Sequence, residues 1–429
     1  MESYFRLKEN GTDIKTEVLA GITTFMTMAY ILVVNPSILA QAGMNYGAVF
    51  TATALAAIVS TALMGLYAKL PFAQAPGMGL NAFFAYTIVL GMGHTWQFAL
   101  TAAFLEGIIF IFLTVFNVRE AIINSIPINI KKAISVGIGL FIAFIGLENA
   151  GIVIHPKTGT IVALGNVTSG TALLAIIGIV ITGVLLSRNV NGALLIGIIV
   201  TTLIGIPMGI TKLPGAVVSM PPSISSGFLK FEWNHIFSMD MLLALFTLLF
   251  MDMFDTVGTL VGVATKAGML DKNGNVPRAK QALFSDAVGT TLAACFGTST
   301  VCTYVESASG VAAGGRTGLT AVSTAGMFAV ALFLSPMFLM IPSAATAPSL
   351  VLVGLFMLSP IKEIDLTDFT EAIPAFFTII MMPLTYSISD GIVFGIVSYV
   401  LLKVLTGKAK TVTLATYVVA ILFVLKFFI

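Results

Sequence analysis

Fourteen apolar runs stand almost end to end along this chain, and any fold must bury or immerse all of them. They cover approximately residues 18–39, 47–67, 80–91, 96–116, 131–147, 170–187, 191–206, 239–262, 279–296, 304–313, 317–340, 343–359, 371–387 and 389–406. A further run, 411–428, carries Lys426. Crossing a hydrocarbon layer roughly 30 Å thick takes about 20 apolar residues. Only 9% of the 429 residues are charged and the mean hydropathy is +1.03, whereas a soluble domain is about 25% charged. The chain therefore reads as an all-α polytopic membrane protein whose main partner is the lipid bilayer. A net charge of +2 without a basic cluster gives no sign of a nucleic-acid partner. The first 16 residues are polar and no cleavable signal is expected.

Lysine and arginine give the orientation, because they concentrate on the cytoplasmic side. With a cytoplasmic N-terminus and fourteen alternating segments, the inner side collects 17 of them and the outer side three, Lys157, Lys212 and Lys230. That split favours counting two anomalous runs, 80–91 and 304–313, as segments. Both are too short for full helices, and each follows a stretch rich in Gly, Pro, Ser or Thr, "PFAQAPGMG" and "FGTSTVCTYVESASG". Internal echoes place them in register: "ILAQAGM" against "VATKAGM", and "SRNVNGALLIGI" against "SISDGIVFGI". Each half then holds seven segments with a broken one in third place, and an odd number forces the second half to sit inverted. Inverted repeats with broken helices in matching positions point to a secondary transporter with a mid-membrane site. The division is 1–206 for the first repeat, 207–238 for an external loop with four prolines, 239–406 for the second repeat and 407–429 for a C-terminal apolar segment.

Ionised side chains at the bilayer centre cost a few kcal/mol and must face protein or water. Asp252 and Asp255 sit mid-span in "FMDMFDTVGT", and 252, 255, 256 and 259 share one helix side. Two acids and two hydroxyls, Thr256 and Thr259, suit the wall of a polar cavity; the alternative is helix packing. Glu306 lies at the start of a short helix after irregular backbone, where free N–H groups can hold a substrate oxygen. In the matching element Gly77 and Gly79 allow close backbone approach, Asn81 offers donor and acceptor (or a helix cap), and Phe83 or Phe84 offers a stacking face. Glu106 is also intramembrane, either paired with a neighbouring helix or part of a proton path. Carboxylates, an amide and aromatic rings suit a planar neutral heterocycle better than an anion. Burial disfavours the charged form of a carboxylate, so one of these acids is a plausible proton carrier.

Other chemistry is poorly supported. Cys295 and Cys302 lack metal-ligand spacing and read as inert buried thiols. His94, His155 and His235 fall at outer ends or loops, against a histidine relay or a metal site. No HExxH, GxSxG, Walker or dinucleotide motif is present, so no enzyme activity, metal or cofactor is expected and energy must come from an ion gradient. A membrane protease would need a GxGD-type signature, which is absent; a channel would not accumulate solute.

"FDTVGTL", "YVESASGV" and "APGMGLNAFF" resemble the motifs of the nucleobase:cation symporter-2 family, in its adenine/guanine/hypoxanthine branch. The resemblance covers nearly the whole chain, including "GITTFMTMAYILVVNP". It implies a uracil-permease-like fold of 14 transmembrane segments in 7+7 inverted repeats, with short strands in the broken third and tenth segments. It also implies a core domain (approximately 18–116 with 239–313 and 317–340) and a gate domain (approximately 131–206 with 343–406). The base-contacting acid of the eighth segment falls on Asp255, the acid one turn earlier on Asp252, the tenth-segment acid on Glu306 and the third-segment polar residue on Asn81. The shorter Asp255, where uracil and xanthine relatives usually carry Glu, agrees with the purine branch. The expected function is purine:proton symport (hypoxanthine, guanine, adenine) by alternating access in a bacterial-type plasma membrane, in a family that tends to dimerise. The expected base-binding set is Asp255, Glu306, Asn81, Asp252, Gly79, Phe83, Thr303 and Thr259, with Asp252 or Glu306 as the coupling acid. Alternatives are the same fold carrying xanthine, uracil or another small solute, and a channel.

Overall fold

In hydrocarbon every backbone polar group must be satisfied within the chain, so long apolar runs become helices. The computed structural model describes residues 2–116, 127–156, 161–266, 268–270 and 276–425. Arg119, Lys157 and Lys272, all used in the charge count above, lie outside the described residues, as do Lys426 and the end of the last apolar run.

The principal helices are α1 (Ile14–Met28), α2 (Ile31–Gln41), α3 (Tyr46–Leu63), α4 (Met78–Ala82), α5 (Trp96–Val115), α6 (Ile128–Asn149), α7 (Gly170–Ser187) and α8 (Ala193–Gly205). They continue with α9 (Met239–Lys266), α10 (Ala279–Phe296), α11 (Ser307–Ala312), α12 (Gly318–Phe333), α13 (Ser343–Met357), α14 (Phe369–Thr385), α15 (Ile388–Leu405) and α16 (Leu414–Leu425). Seven stretches among the described residues are helical, long and apolar enough to cross a bilayer: Ile14–Gln41, Tyr46–Ala68, Trp96–Val115, Ile128–Asn149, Gly170–Ser187, Met239–Ala264 and Ser343–Glu363. Four shorter apolar helices, Met78–Gly91, Ala193–Gly205, Gly318–Phe333 and Phe369–Thr385, accompany them. The molecule is a multi-pass membrane protein.

Helix starts follow capping chemistry. Asp13, Asn45 and Thr95 each accept a backbone N–H three residues on, from Thr16 (2.7 Å), Ala48 (3.0 Å) and Phe98 (3.1 Å), which satisfies donors left over by the helix geometry. The start of α12 is capped from another helix. Glu17 of α1, fully buried, accepts the N–H groups of Arg316 (2.8 Å), Thr317 (3.3 Å) and Thr320 (3.1 Å) and the Thr320 hydroxyl (2.6 Å).

Two packing groups result. One contains α1, α3, α5, α9, α10 and α12, with α1 and α3 against α12, α3 and α5 against α10, and α5 against α9. In the other, α6 packs on α13 and α14, α14 on α15, and α7 on α8 and α13. Small residues permit the closest crossings in a setting where apolar surface alone gives no drive to associate: a Cβ on Gly139 of α6 would lie 2.7 Å from the Gly354 carbonyl of α13. The segment 207–238 is tied to the first group. Ser219 N–H donates to Phe333 O (3.0 Å), Leu229 N–H to Cys295 O (2.9 Å) and the Thr51 hydroxyl to Pro222 O (2.8 Å), while Phe231 and Trp233 pack on Phe104.

The two broken stretches meet. Strands β1 (Gln74–Pro76) and β4 (Val301–Thr303) pair antiparallel, with Gln74 opposite Thr303, Ala75 opposite Cys302 and Pro76 opposite Val301. Bonds from Gly77 N–H to Thr300 O and from Tyr304 N–H to Ala73 O, both 3.0 Å, extend the ladder at each end. A second small pair, β2 (Val153–Ile154) with β3 (Ala163–Leu164), lies after α6. Beyond β1 the chain enters α4 and then winds as a π-helix over Phe83–Gly91; beyond β4 it enters α11.

Candidate functional site

Side chains alternate across a strand, so the β1–β4 crossing has two faces with different contents. Gln74 and Thr303 share one: Gln74 Nε2 donates to Thr303 Oγ1 at 3.2 Å. Ala75 and Cys302 share the other, where the Cys302 thiol contacts the Asp255 carboxylate. Cys302 is a buried free thiol, as its apolar surroundings suggest, but it sits among the acids.

On the Cys302 side stand Asp255 and Glu306, both half-buried and close enough to interact electrostatically. Tyr30 of α1 donates to Glu306 Oε1 at 2.7 Å. Tyr304, next along the chain, donates to Pro76 O at 2.5 Å and so pins the rim of the crossing. Gly77 is required here by close approach: a Cβ on it would meet Cys302 Sγ at 2.7 Å and Leu80 Cδ1 at 2.9 Å. Thr259 is half-buried one turn beyond Asp255.

Asn81 is fully buried in α4. Its side-chain carbonyl accepts the Ser299 hydroxyl, and its amide Nδ2 has no partner among the described residues. Gly79 abuts the second helix group, because a Cβ there would lie 3.1 Å from Ile138 Cγ2 of α6 and 3.6 Å from Met251 Cε of α9. Phe83 and Phe84 are fully buried, with no face open for stacking in this conformation.

The free N–H groups expected at the start of the second half-helix are already used. Ser307, Ala308 and Ser309 donate to the carbonyls of Tyr304, Val305 and Glu306 at 3.0–3.1 Å. The tight turn before α11 therefore satisfies them within the chain. The Thr303 N–H is also taken, by Thr256 Oγ1 at 3.3 Å.

On the Gln74 side lies a second acid group that is fully buried. It comprises Asp252 of α9, Glu106 of α5 and Asp286 of α10. Thr256 Oγ1 lies 3.2 Å from both Asp252 Oδ1 and Asp286 Oδ2. Gln74 Nε2 donates to Asp286 Oδ1 (2.9 Å) and the Thr300 hydroxyl to Glu106 Oε2 (3.1 Å). Asp252 thus parts from Asp255: the two acids of one helical turn lie toward different faces of the crossing. Sequence reasoning did not single out Asp286, Gln74 or Tyr30. A lone acid inside an apolar run was the available signal for Asp286.

The sequence profile of the Xan_ur_permease family, described as a permease family, matches residues 15–394. The chain belongs to this family, also known as the nucleobase:cation symporter-2 family. Its relatives fall in the purine permease branch. The guanine/hypoxanthine permease PbuG of Bacillus subtilis is 45% identical over 439 residues, covering 100% of this chain and 99% of that one. The adenine permease AdeP of Escherichia coli is 44% identical over 427 residues, covering 99% and 95%. MJ0326, a permease candidate of Methanocaldococcus jannaschii, is 52% identical over 427 residues, covering 100% and 98%. Among solved structures, the transmembrane domain of the cyanobacterial bicarbonate transporter BicA superposes with a TM-score of 0.68 at 16% identity, covering 89% of this chain and 97% of that one. At that identity the likeness is one of fold.

Proposed function

We propose that this permease imports a purine nucleobase (hypoxanthine, guanine or adenine) together with a proton. The observation that carries the reading is the neighbouring pair of half-buried acids, Asp255 and Glu306, set beside the crossing of two broken segments in a chain whose relatives are named purine permeases. A purine presents ring N–H donors, which the two carboxylates accept. Its ring nitrogens and any carbonyl are acceptors, for which the unspent Asn81 amide supplies a donor. Thr259 adds a hydroxyl on the Asp255 side, and the Gly77 approach keeps Cys302 against Asp255. Stacking by Phe83 would require its ring to become uncovered.

Transport in this reading proceeds by alternating access. The group holding α1, α3, α5, α9, α10 and α12 acts as the core and the α6, α13, α14 and α15 group as the gate, in a fourteen-segment 7+7 arrangement with a cytoplasmic N-terminus. Assembly as a homodimer fits the same reading. The test is uptake of labelled hypoxanthine, guanine and adenine in cells lacking their own carriers, with xanthine and uracil as competitors. Accumulation that collapses with a protonophore supports purine:proton symport. No purine accumulation, or accumulation indifferent to the proton gradient, overturns it, and preferential uptake of xanthine or uracil reassigns the substrate.

A further inference from the structure

Glu306 does not stand alone at the start of its short helix, because α1 holds α11 along its length. Positions 17, 20, 24 and 27 of α1 recur every three or four residues and so share one helix face. Each of them meets the segment between Glu306 and Thr320. Glu17 accepts the N–H groups of Arg316, Thr317 and Thr320. The Arg316 guanidinium in turn donates to Val311 O (2.6 Å) and Gly315 O (2.8 Å), around the end of α11. Gly310 lies so close to α1 that a Cβ on it would meet Ala20 O at 2.7 Å and collide with Thr24 Oγ1. Thr27 Oγ1 is 2.9 Å from Ser309 Oγ and 3.4 Å from Glu306 O.

Tyr30 carries this contact on to the carboxylate. It sits at the junction of α1 and α2, is 1% exposed, and donates to Glu306 Oε1 at 2.7 Å. Among the described residues no other side chain donates to that carboxylate. So deeply packed a ring acts on a ligand only through Glu306. A carboxylate is planar, so holding Oε1 against a buried phenol also fixes the direction of Oε2. Glu306 is half-buried, and Oε2 is the oxygen left to a ligand. A carboxylate with both oxygens open accepts two parallel N–H groups as a fork; this one is set to accept a single N–H. Purines differ in that count. Hypoxanthine presents one N–H on its six-membered ring, whereas guanine presents the same N–H with a parallel amino N–H beside it.

We propose that Tyr30 is a positioning residue that sets specificity among purines. It turns the Glu306 carboxylate so that Oε2 meets the ring N–H of the base, and it withholds Oε1 from a second donor. This rests on the purine-transport reading above. Hypoxanthine then makes the full bond to Glu306, and the extra amino group of guanine gains little there. Glu17, Thr24 and Thr27 keep α11 in register with α1, so the phenol and the acid stay matched as one unit.

The experiment uses the full chain in proteoliposomes with labelled hypoxanthine and guanine. Tyr30→Phe keeps the ring in its packing and removes the hydroxyl. The expected result is a KM for hypoxanthine raised about tenfold, the factor for one hydrogen bond to a charged group, with a smaller effect on the maximal rate. Guanine, now able to use both oxygens, loses less, so the preference moves toward guanine. Thr27→Val loosens α11 without touching the carboxylate and raises both KM values together. Equal factors for the two bases in Tyr30→Phe, no change in either, or an equal shift of preference in Thr27→Val overturns the inference. Competition in the wild-type protein covers a variant that fails to fold. The two bases should inhibit labelled hypoxanthine uptake at similar concentrations, and guanine competing about tenfold better, as a second such bond would give, overturns the withheld oxygen. The purine reading fails on a different result, wild-type protein that takes up neither base.

Discussion

The two faces of one short strand pair hold the same residue types in opposite conditions. Toward Cys302, Asp255 and Glu306 are half-buried, and their neighbours are ring hydroxyls and a thiol. Toward Gln74 and Thr303, Glu106, Asp252 and Asp286 are sealed from solvent and bonded mainly to one another's partners. An acid that retains some access can exchange a proton-bearing ligand for water, whereas a sealed acid can change state only by gaining or losing a proton. Access, rather than residue type, separates the two sets of acids.

The largest effect should come from the half-buried face. Asp255→Asn should weaken hypoxanthine binding by about 1.5–3 kcal/mol, the range for hydrogen bonds to a charged group, measured by equilibrium binding to purified protein. Glu106→Gln should weaken it far less; equal losses would erase the distinction between the faces. Thr256→Val should instead strike stability. It removes the hydroxyl that links Asp252 and Asp286 and leaves the buried Thr303 N–H without its acceptor, a cost of about 1–3 kcal/mol visible as a lowered thermal midpoint. If Thr256→Val abolishes base binding at full stability, the threonine belongs to the other face.

Gly77→Ala should have a smaller effect, near the lower end of the about 1–3 kcal/mol typical of overpacking, because a shift of the Cys302 and Leu80 side chains can relieve it. Base binding should fall with it as Cys302 is pushed from Asp255. Gly79→Ala, which meets the tip of Ile138 at 3.1 Å, should be milder in binding.

A surface acid provides the reference for both faces. Asp368, which caps α14, is bonded to Lys408 Nζ (2.7 Å) and to the Thr370 N–H (2.9 Å). Lys408 first, and then Thr370, hold its carboxyl well below the usual carboxylate range. Its folded-state pKa is therefore below the unfolded value of about 3.9, so its contribution is present above that value and is lost as pH falls through the folded one. Asp368→Asn should lower the thermal midpoint slightly at neutral pH, with the difference from wild type closing in strong acid. This is the smallest of the effects, since the pair is solvent-exposed.

Much of the architecture was legible because it rests on local chemistry. The apolar runs had to be helices, and stretches such as "PFAQAPGMG" and "FGTSTVCTYV" break helices wherever they occur. Glycine, proline and β-branched residues together disfavour a continued helical ladder. The acids in "FMDMFDTVGT" were visible for the same reason, since charge in an apolar run is conspicuous. Asp286 in "ALFSDAVGTTLAACF" and Gln74 in "PFAQAPG" were less so, because each stands alone and its importance lies in what other segments bring to it. The half-helix donors were misjudged because the turn before α11, not the helix itself, decides whether they are free.

The sequence by itself determined a multi-pass helical membrane protein with two broken elements and acids inside apolar runs, because each of those properties is fixed within a few residues of chain. Tertiary structure decided how the acids are grouped. Which way Cys302 and Thr303 point depends on strand register, and register exists only once β1 and β4, more than two hundred residues apart, pair in three dimensions. That pairing lets Asp252 and Asp255, a single turn apart on one helix, be enclosed by different neighbours and take different environments.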